Sequence, residues 1–140
     1  MIIDHLGIAV KSLERSLEFY RDILGLKVVG PEEVASEGVR IAFLPMGEST
    51  IELLEPLGPD SSLARFLAKR GEGIHHVCVR VERISETLAT LREKGAEIIE
   101  PAPRIGAGGR RVAFIHPRST GGVLLELVES TETSGPSPHA

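Results

Sequence analysis

The chain is written twice, and that duplication restricts its fold more than any other property. The segment IDHLGIAV (residues 3–10) overlays IHHVCVRV (74–81), so that His5 falls on His76. Both alternate apolar and polar residues as a half-buried strand does. Further on, Leu13, Leu17 and Tyr20 recur as Ile84, Leu88 and Leu91, the four-then-three spacing of one helix face. Gly25 and Gly95 stand where such helices stop. Short strands are predicted at LKVVG (26–30) and AEIIE (96–100). RIAFLP (40–45) then matches RVAFIHP (111–117), and TIELLE (50–55) matches LLELVE (124–129), which sets Glu52 on Glu126. Each half reads β-α-β-β-β. Residue types match as well as pattern, which two unrelated runs would not do.

These boundaries predict a first module over residues 1–56, a connector over 57–72 and a second module over 73–129. The connector carries a short helix with Leu63, Phe66 and Leu67 on its apolar side, and Asp60 or Ser61 can cap it. The tail, 130–140, lacks a core-forming pattern and is expected to be disordered.

Composition removes several function classes. With 140 residues, 41% hydrophobic and 26% charged, the chain is an ordinary globular protein. A net charge of −4 argues against a general nucleic-acid binder. No apolar run reaches membrane-span length. The single cysteine, Cys78, has no internal partner for a disulfide, and the opening MIIDH lacks the apolar core of a signal peptide. A soluble, cytoplasmic protein is expected.

A duplicated unit offers each polar position twice, so each half can supply half of a site. The matched polar residues within apolar strands are His5 with His76 and Glu52 with Glu126. By period-2 geometry, each faces opposite to its apolar neighbours. Two imidazoles and two carboxylates form a mixed set suited to a divalent ion such as Zn²⁺, Co²⁺, Ni²⁺ or Mn²⁺. Buried glutamates standing alone are costly, and a cation removes that cost. One strand histidine taken singly is more often just hydrogen-bonded. Four residues on duplicated positions are another matter. His75, which aligns with Asp4, points to the opposite face and is expected to give support. His116 reads as a turn residue and Cys78 as a small core residue.

The residues that carry this pattern resemble the vicinal oxygen chelate superfamily, and within it the methylmalonyl-CoA epimerase family. The resemblance rests on IDHLGIAV, on IELLEPLGPDSSLARFLAKRGEGIHHVCVRV and on HPRSTGGVLLELVE, and spans about residues 2–129. It implies an α+β fold of two paired β-α-β-β-β modules forming an open barrel around one divalent metal. It carries the family's metal ligands onto His5, Glu52, His76 and Glu126. The implied reaction is epimerisation of methylmalonyl-CoA at C2 through a metal-stabilised enolate; Glu126 and Glu52, on equivalent strands of the two halves, are the expected bases on the two faces of that intermediate. Some members carry a glutamate base at a position where this chain has Ile41, flanked by Arg40 and Ala42. Arg104, Arg110, Arg111, Arg118, Ser119 and Thr120 are the expected contacts to the CoA arm, in glycine-rich segments that leave backbone N–H groups open. A homodimer is implied.

Three other readings stand beside this one. Glyoxalase I, of the same superfamily, uses the same kind of metal quartet but usually shows an Asp-Pro-Asp-Gly turn where this chain has HPRSTGG. A dioxygenase would need only one carboxylate beside two histidines around iron. A metal-free binding module would lack the four ligands.

Overall fold

The computed structural model describes residues 1–131, so most of the expected disordered tail lies outside the described residues. The chain divides into two compact units: His5–His75, and Met1–Asp4 together with the chain from His76 onward. Among the described residues, no helix is long and apolar enough to cross a membrane.

The unit His5–His75 takes in most of β1 (Ile2–Ala9), then α1 (Leu13–Leu17), β2 (Val29–Val34), β3 (Val39–Met46), β4 (Ser49–Pro56) and α2 (Ser62–Arg70). Its strands lie in the order β2-β3-β4-β1, antiparallel except for the parallel pair of β4 with β1. Alternation assigns the two faces. Val10, Ala42, Leu44 and Leu53 pack with Leu13 of α1, joined at their margin by Leu17 and Tyr20. The other face carries His5, Gly7, Ile41, Phe43, Glu52 and Leu54.

The other unit repeats the plan with β5 (Gly73–Val81), α3 (Ile84–Glu93), β6 (Arg104–Ile105), β7 (Arg111–Ile115) and β8 (Leu125–Glu129), in the order β5-β8-β7-β6. Here β5 and β8 are the parallel pair. Val81, Ala113, Ile115 and Leu127 pack against Ile84 and Leu88 of α3. Cys78, Val112 and Val128 form a separate apolar cluster on the face away from the helix.

The duplicated helix stops are present in both units. Gly25 and Gly95 adopt the left-handed conformation, with φ of 83° and 93°. After Gly95, the Ala96 N–H reaches back to Leu91 O at 2.9 Å. In the first unit α1 runs on into a π-helical turn, Glu18–Ile23, and the corresponding bond from Leu26 N–H ends on Tyr20 O, one residue further back. In the connector, Ser61 is the cap, its Oγ accepting the Ala64 N–H at 3.1 Å.

Two predicted strands are displaced. LKVVG enters the sheet only at Val29, and β2 runs on to Val34 with an irregularity between Val29 and Glu32, where Pro31 provides no N–H. AEIIE forms no strand. Ile98 makes an isolated bridge to Ile115, and pairing resumes at Arg104 opposite Val112. Pro101 and Pro103 interrupt the backbone donors between these points.

Candidate metal and active site

Each unit contains one buried imidazole–carboxylate pair built from its parallel strands. In the first, His5 Nδ1 lies 3.1 Å from Glu52 Oε2. In the second, His76 Nε2 lies 3.1 Å from Glu126 Oε1. All four residues are buried, with exposures of 4% for His5, 5% for Glu52, 6% for His76 and 8% for Glu126. The register is duplicated as well. Glu52 stands opposite Gly7 in β1 and Phe43 in β3, and Glu126 stands opposite Cys78 in β5 and Phe114 in β7. A β1 or β5 histidine and a β4 or β8 glutamate thus emerge on the face that the helix leaves uncovered.

Carboxylates and imidazoles buried side by side are stabilised by a proton or a cation shared between them. Neutral imidazole nitrogens and carboxylate oxygens are both good ligands for divalent first-row ions. The donor chemistry of His5, Glu52, His76 and Glu126 therefore fits a divalent metal.

The surroundings of the two pairs differ. Ile41, 2% exposed, sits on the same face as Glu52, two residues along β3 from Phe43, so this position supplies packing and no proton-transfer group. In the second unit the strand position matching Ala9 is Arg80, and its side chain meets a buried carboxylate. Asp4, 5% exposed, accepts from Arg80 Nε at 2.9 Å and from both terminal nitrogens of Arg110 at 2.9 and 3.0 Å. Sequence reasoning placed Asp4 only as a polar neighbour of His5 and missed this network. Its signal was the unmatched Arg80 in an otherwise apolar repeat. His75 turns the other way, as alternation predicts, and meets the Phe66 ring edge-on at 4.8 Å.

The six residues expected along a CoA arm are spread over different partners. Arg104 Nε lies 3.2 Å from Glu100, and its guanidinium sits over the Phe114 ring. Arg110 is held by Asp4. Arg111 faces the α3 side, donating to Ser85 Oγ at 3.0 Å with Glu129 at 3.6 Å. Arg118 pairs with Glu97 at 2.9 Å. Ser119 Oγ accepts the Glu97 N–H, and the Thr120 hydroxyl bonds within its own turn to Val123. His116 Nδ1 accepts the Arg118 N–H at 3.0 Å, the turn role expected of it.

A second duplicated carboxylate pair was also missed. Glu55 accepts the Leu13 N–H at the start of α1 at 2.8 Å, and Glu129 accepts the Ile84 N–H at the start of α3 at 3.1 Å. Arg40 lies beside Glu55 at 3.8 Å, as Arg111 lies beside Glu129. The same repeat that aligned Glu52 with Glu126 aligned these residues.

Comparison with known proteins extends the likeness over nearly the whole chain. Residues 4–114 match the Glyoxalase/Bleomycin resistance protein/Dioxygenase superfamily. The ethylmalonyl-CoA/methylmalonyl-CoA epimerase of Cereibacter sphaeroides is 41% identical, over 89% of this chain and 95% of its own. The mitochondrial methylmalonyl-CoA epimerase of Bos taurus is 40% identical, over 91% of this chain and 74% of its own. A Streptomyces coelicolor methylmalonyl-CoA epimerase variant, solved in complex with 2-nitronate-propionyl-CoA, superposes with a TM-score of 0.90 at 38% identity, covering 94% of this chain and 99% of that one. The paired β-α-β-β-β modules, the α+β fold and these relatives agree: the chain belongs to the Glyoxalase/Bleomycin resistance protein/Dioxygenase superfamily, and within it to the methylmalonyl-CoA epimerase family.

Proposed function

We propose that this chain is a metal-dependent epimerase that interconverts the R and S forms of methylmalonyl-CoA at C2. The observation that carries the reading is the duplicated buried His–Glu pair in a chain about 40% identical to epimerases over most of its length. His5, Glu52, His76 and Glu126 together would hold one divalent ion, of which Co²⁺, Zn²⁺, Mn²⁺ and Ni²⁺ all suit the donors. Bound there, such an ion supplies Lewis-acid stabilisation of the negative charge that develops on the thioester oxygen.

The protein's own groups must then remove a proton from one face of C2 and return it to the other. Glu126 and Glu52 come from equivalent strands of duplicated modules, and we assign them as the two bases. Each carboxylate has a second oxygen, so one can serve as a ligand while the other exchanges the proton. Ile41 and Phe43 of β3 lie on the same face as Glu52, and Val112 and Phe114 of β7 on the same face as Glu126, so each carboxylate has apolar surface beside it. That surface excludes water and keeps the carbon-bound proton for the carboxylates.

The CoA arm is assigned to the segments that carry Arg110 and Arg118 with Ser119 and Thr120. Arg111, turned toward α3, is given a helix-start role with Glu129. A cytoplasmic homodimer completes the proposal. The modules 1–56 and 73–129, joined by 57–72, act as one catalytic domain.

The test is incubation with a single epimer of methylmalonyl-CoA in D₂O, following isotope at C2 by mass spectrometry. Deuterium entering C2 as the epimers equilibrate is the expected result. No exchange, together with turnover of a glutathione hemithioacetal, would reassign the chain to lyase chemistry.

A further inference from the structure

In the unit that begins at His76, α3 covers one face of the sheet, and the other presents His76, Cys78, Val112, Phe114 and Glu126. Phe114 stands opposite Glu126, and its ring meets the His76 ring edge-on, with centroids 6.2 Å apart. Arg104 approaches from β6 opposite Val112, which is two residues from Phe114 on the same face. Its guanidinium carbon lies 5.6 Å from the centre of the Phe114 ring. The aromatic face attracts the cation and orients the planar group, so its donors form a preset fork.

The other arginines of this unit discussed above are differently engaged. Arg80 and Arg110 meet on Asp4. Arg111 lies toward Ser85 and Glu129, and Arg118 toward Glu97. Arg104 pairs with Glu100, and both side chains are 40% exposed, so this partner is readily exchanged in solution.

Resting on the epimerase reading, we propose that Arg104 is a specificity-determining residue that binds the free carboxylate of the substrate's acyl group. The substrate has two kinds of anion. The phosphates lie at the far end of the long pantetheine arm, whereas the carboxylate is attached to the reacting carbon. A guanidinium one aromatic ring removed from His76 is placed for the acyl end. A carboxylate is also what it already meets in Glu100, through Nε at 3.2 Å, and the substrate carboxylate replaces that partner with the same charge-assisted contact. A substrate without the carboxylate gains nothing from this contact.

The experiment compares two CoA thioesters, malonyl-CoA and propionyl-CoA, that share the whole arm and differ in the carboxylate. Titration calorimetry with the full-length, metal-loaded protein gives both dissociation constants for the wild type, R104Q and R104K. The expected result is that R104Q weakens malonyl-CoA about tenfold, the loss of one charged hydrogen-bonded contact, and propionyl-CoA less than about twofold. R104K, keeping the charge but not the fork, falls between the wild type and R104Q for malonyl-CoA. Equal weakening of both thioesters would make Arg104 a contact to the CoA arm and overturn the proposal, as would unchanged binding of both. Wild-type isotope exchange at C2, run alongside, separates the two levels. If exchange is present but the affinity ratio is unaltered in R104Q, only the assignment to Arg104 fails. If exchange is absent in the wild type, the epimerase reading fails.

Discussion

Arg110 grips Asp4 with both ends of its guanidinium, Nη1 to Oδ1 at 2.9 Å and Nη2 to Oδ2 at 3.0 Å, across 106 residues of sequence. Arg80 adds a third bond to the same carboxylate. The contact ties the first residues of the chain to the glycine-rich turn before β7. Asp4 is the only acid among these three residues, so its removal leaves two partly buried cations facing each other. Asp4→Asn is expected to lower stability by about 3–5 kcal/mol, the usual cost of breaking a buried pair from one side. Urea unfolding measures this. A loss below about 1 kcal/mol would show that the network behaves as a surface pair.

Glu55 and Glu129 satisfy backbone N–H groups at the starts of α1 and α3, where no earlier carbonyl can do so. Glu55→Ala and Glu129→Ala should each cost about 1–2 kcal/mol, as lost caps do. The two sites lie in different units, so their effects are expected to add within about 0.5 kcal/mol in the double variant. Metal content, measured by elemental analysis, should stay at the wild-type value in both. Loss of metal in either variant would mean that these carboxylates belong to the site.

The two assigned bases separate by kinetics. Glu126→Gln retains a ligand oxygen and the side chain's shape but cannot accept a proton, and is expected to slow C2 exchange by roughly 10²–10⁴-fold, the range for a lost general base. Glu52→Gln should slow the return of the proton on the other face, so exchange from one epimer falls more than from the other. If both variants kept their metal and full turnover, the bases would lie elsewhere.

Much of this was legible in the sequence because the duplication acts as an internal control. His5 with His76 and Glu52 with Glu126 stand out as polar residues at matched positions in apolar strands, and they form two equivalent buried pairs. Period-2 alternation separated His75 from His76 correctly, since the strand itself fixes that geometry. What the repeat could not reveal was whatever breaks it. Asp4, Arg80 and Arg110 make a network in one unit only, and its long-range contacts leave no local pattern. The strand predicted at 96–100 failed because β-propensity in AEIIE says nothing of which partner edge is available, and the prolines that follow move the pairing on to Arg104. The π-helical turn at Glu18–Ile23 adds a residue to the end of a helix whose apolar spacing reads as ordinary. Glu55 and Glu129 were legible and passed over. Their capping role depends on how each helix start lies against the sheet, which alignment alone does not give.

The central claim is that the two His–Glu pairs act together through a divalent ion, and removing that ion tests it most directly. Wild-type protein treated with a chelator and then freed of it should lose C2 deuterium exchange, and added Co²⁺, Zn²⁺, Mn²⁺ or Ni²⁺ should restore it. His76→Ala should neither bind the ion tightly nor recover activity, whatever metal is added. Undiminished exchange by demonstrably metal-free protein would contradict the account.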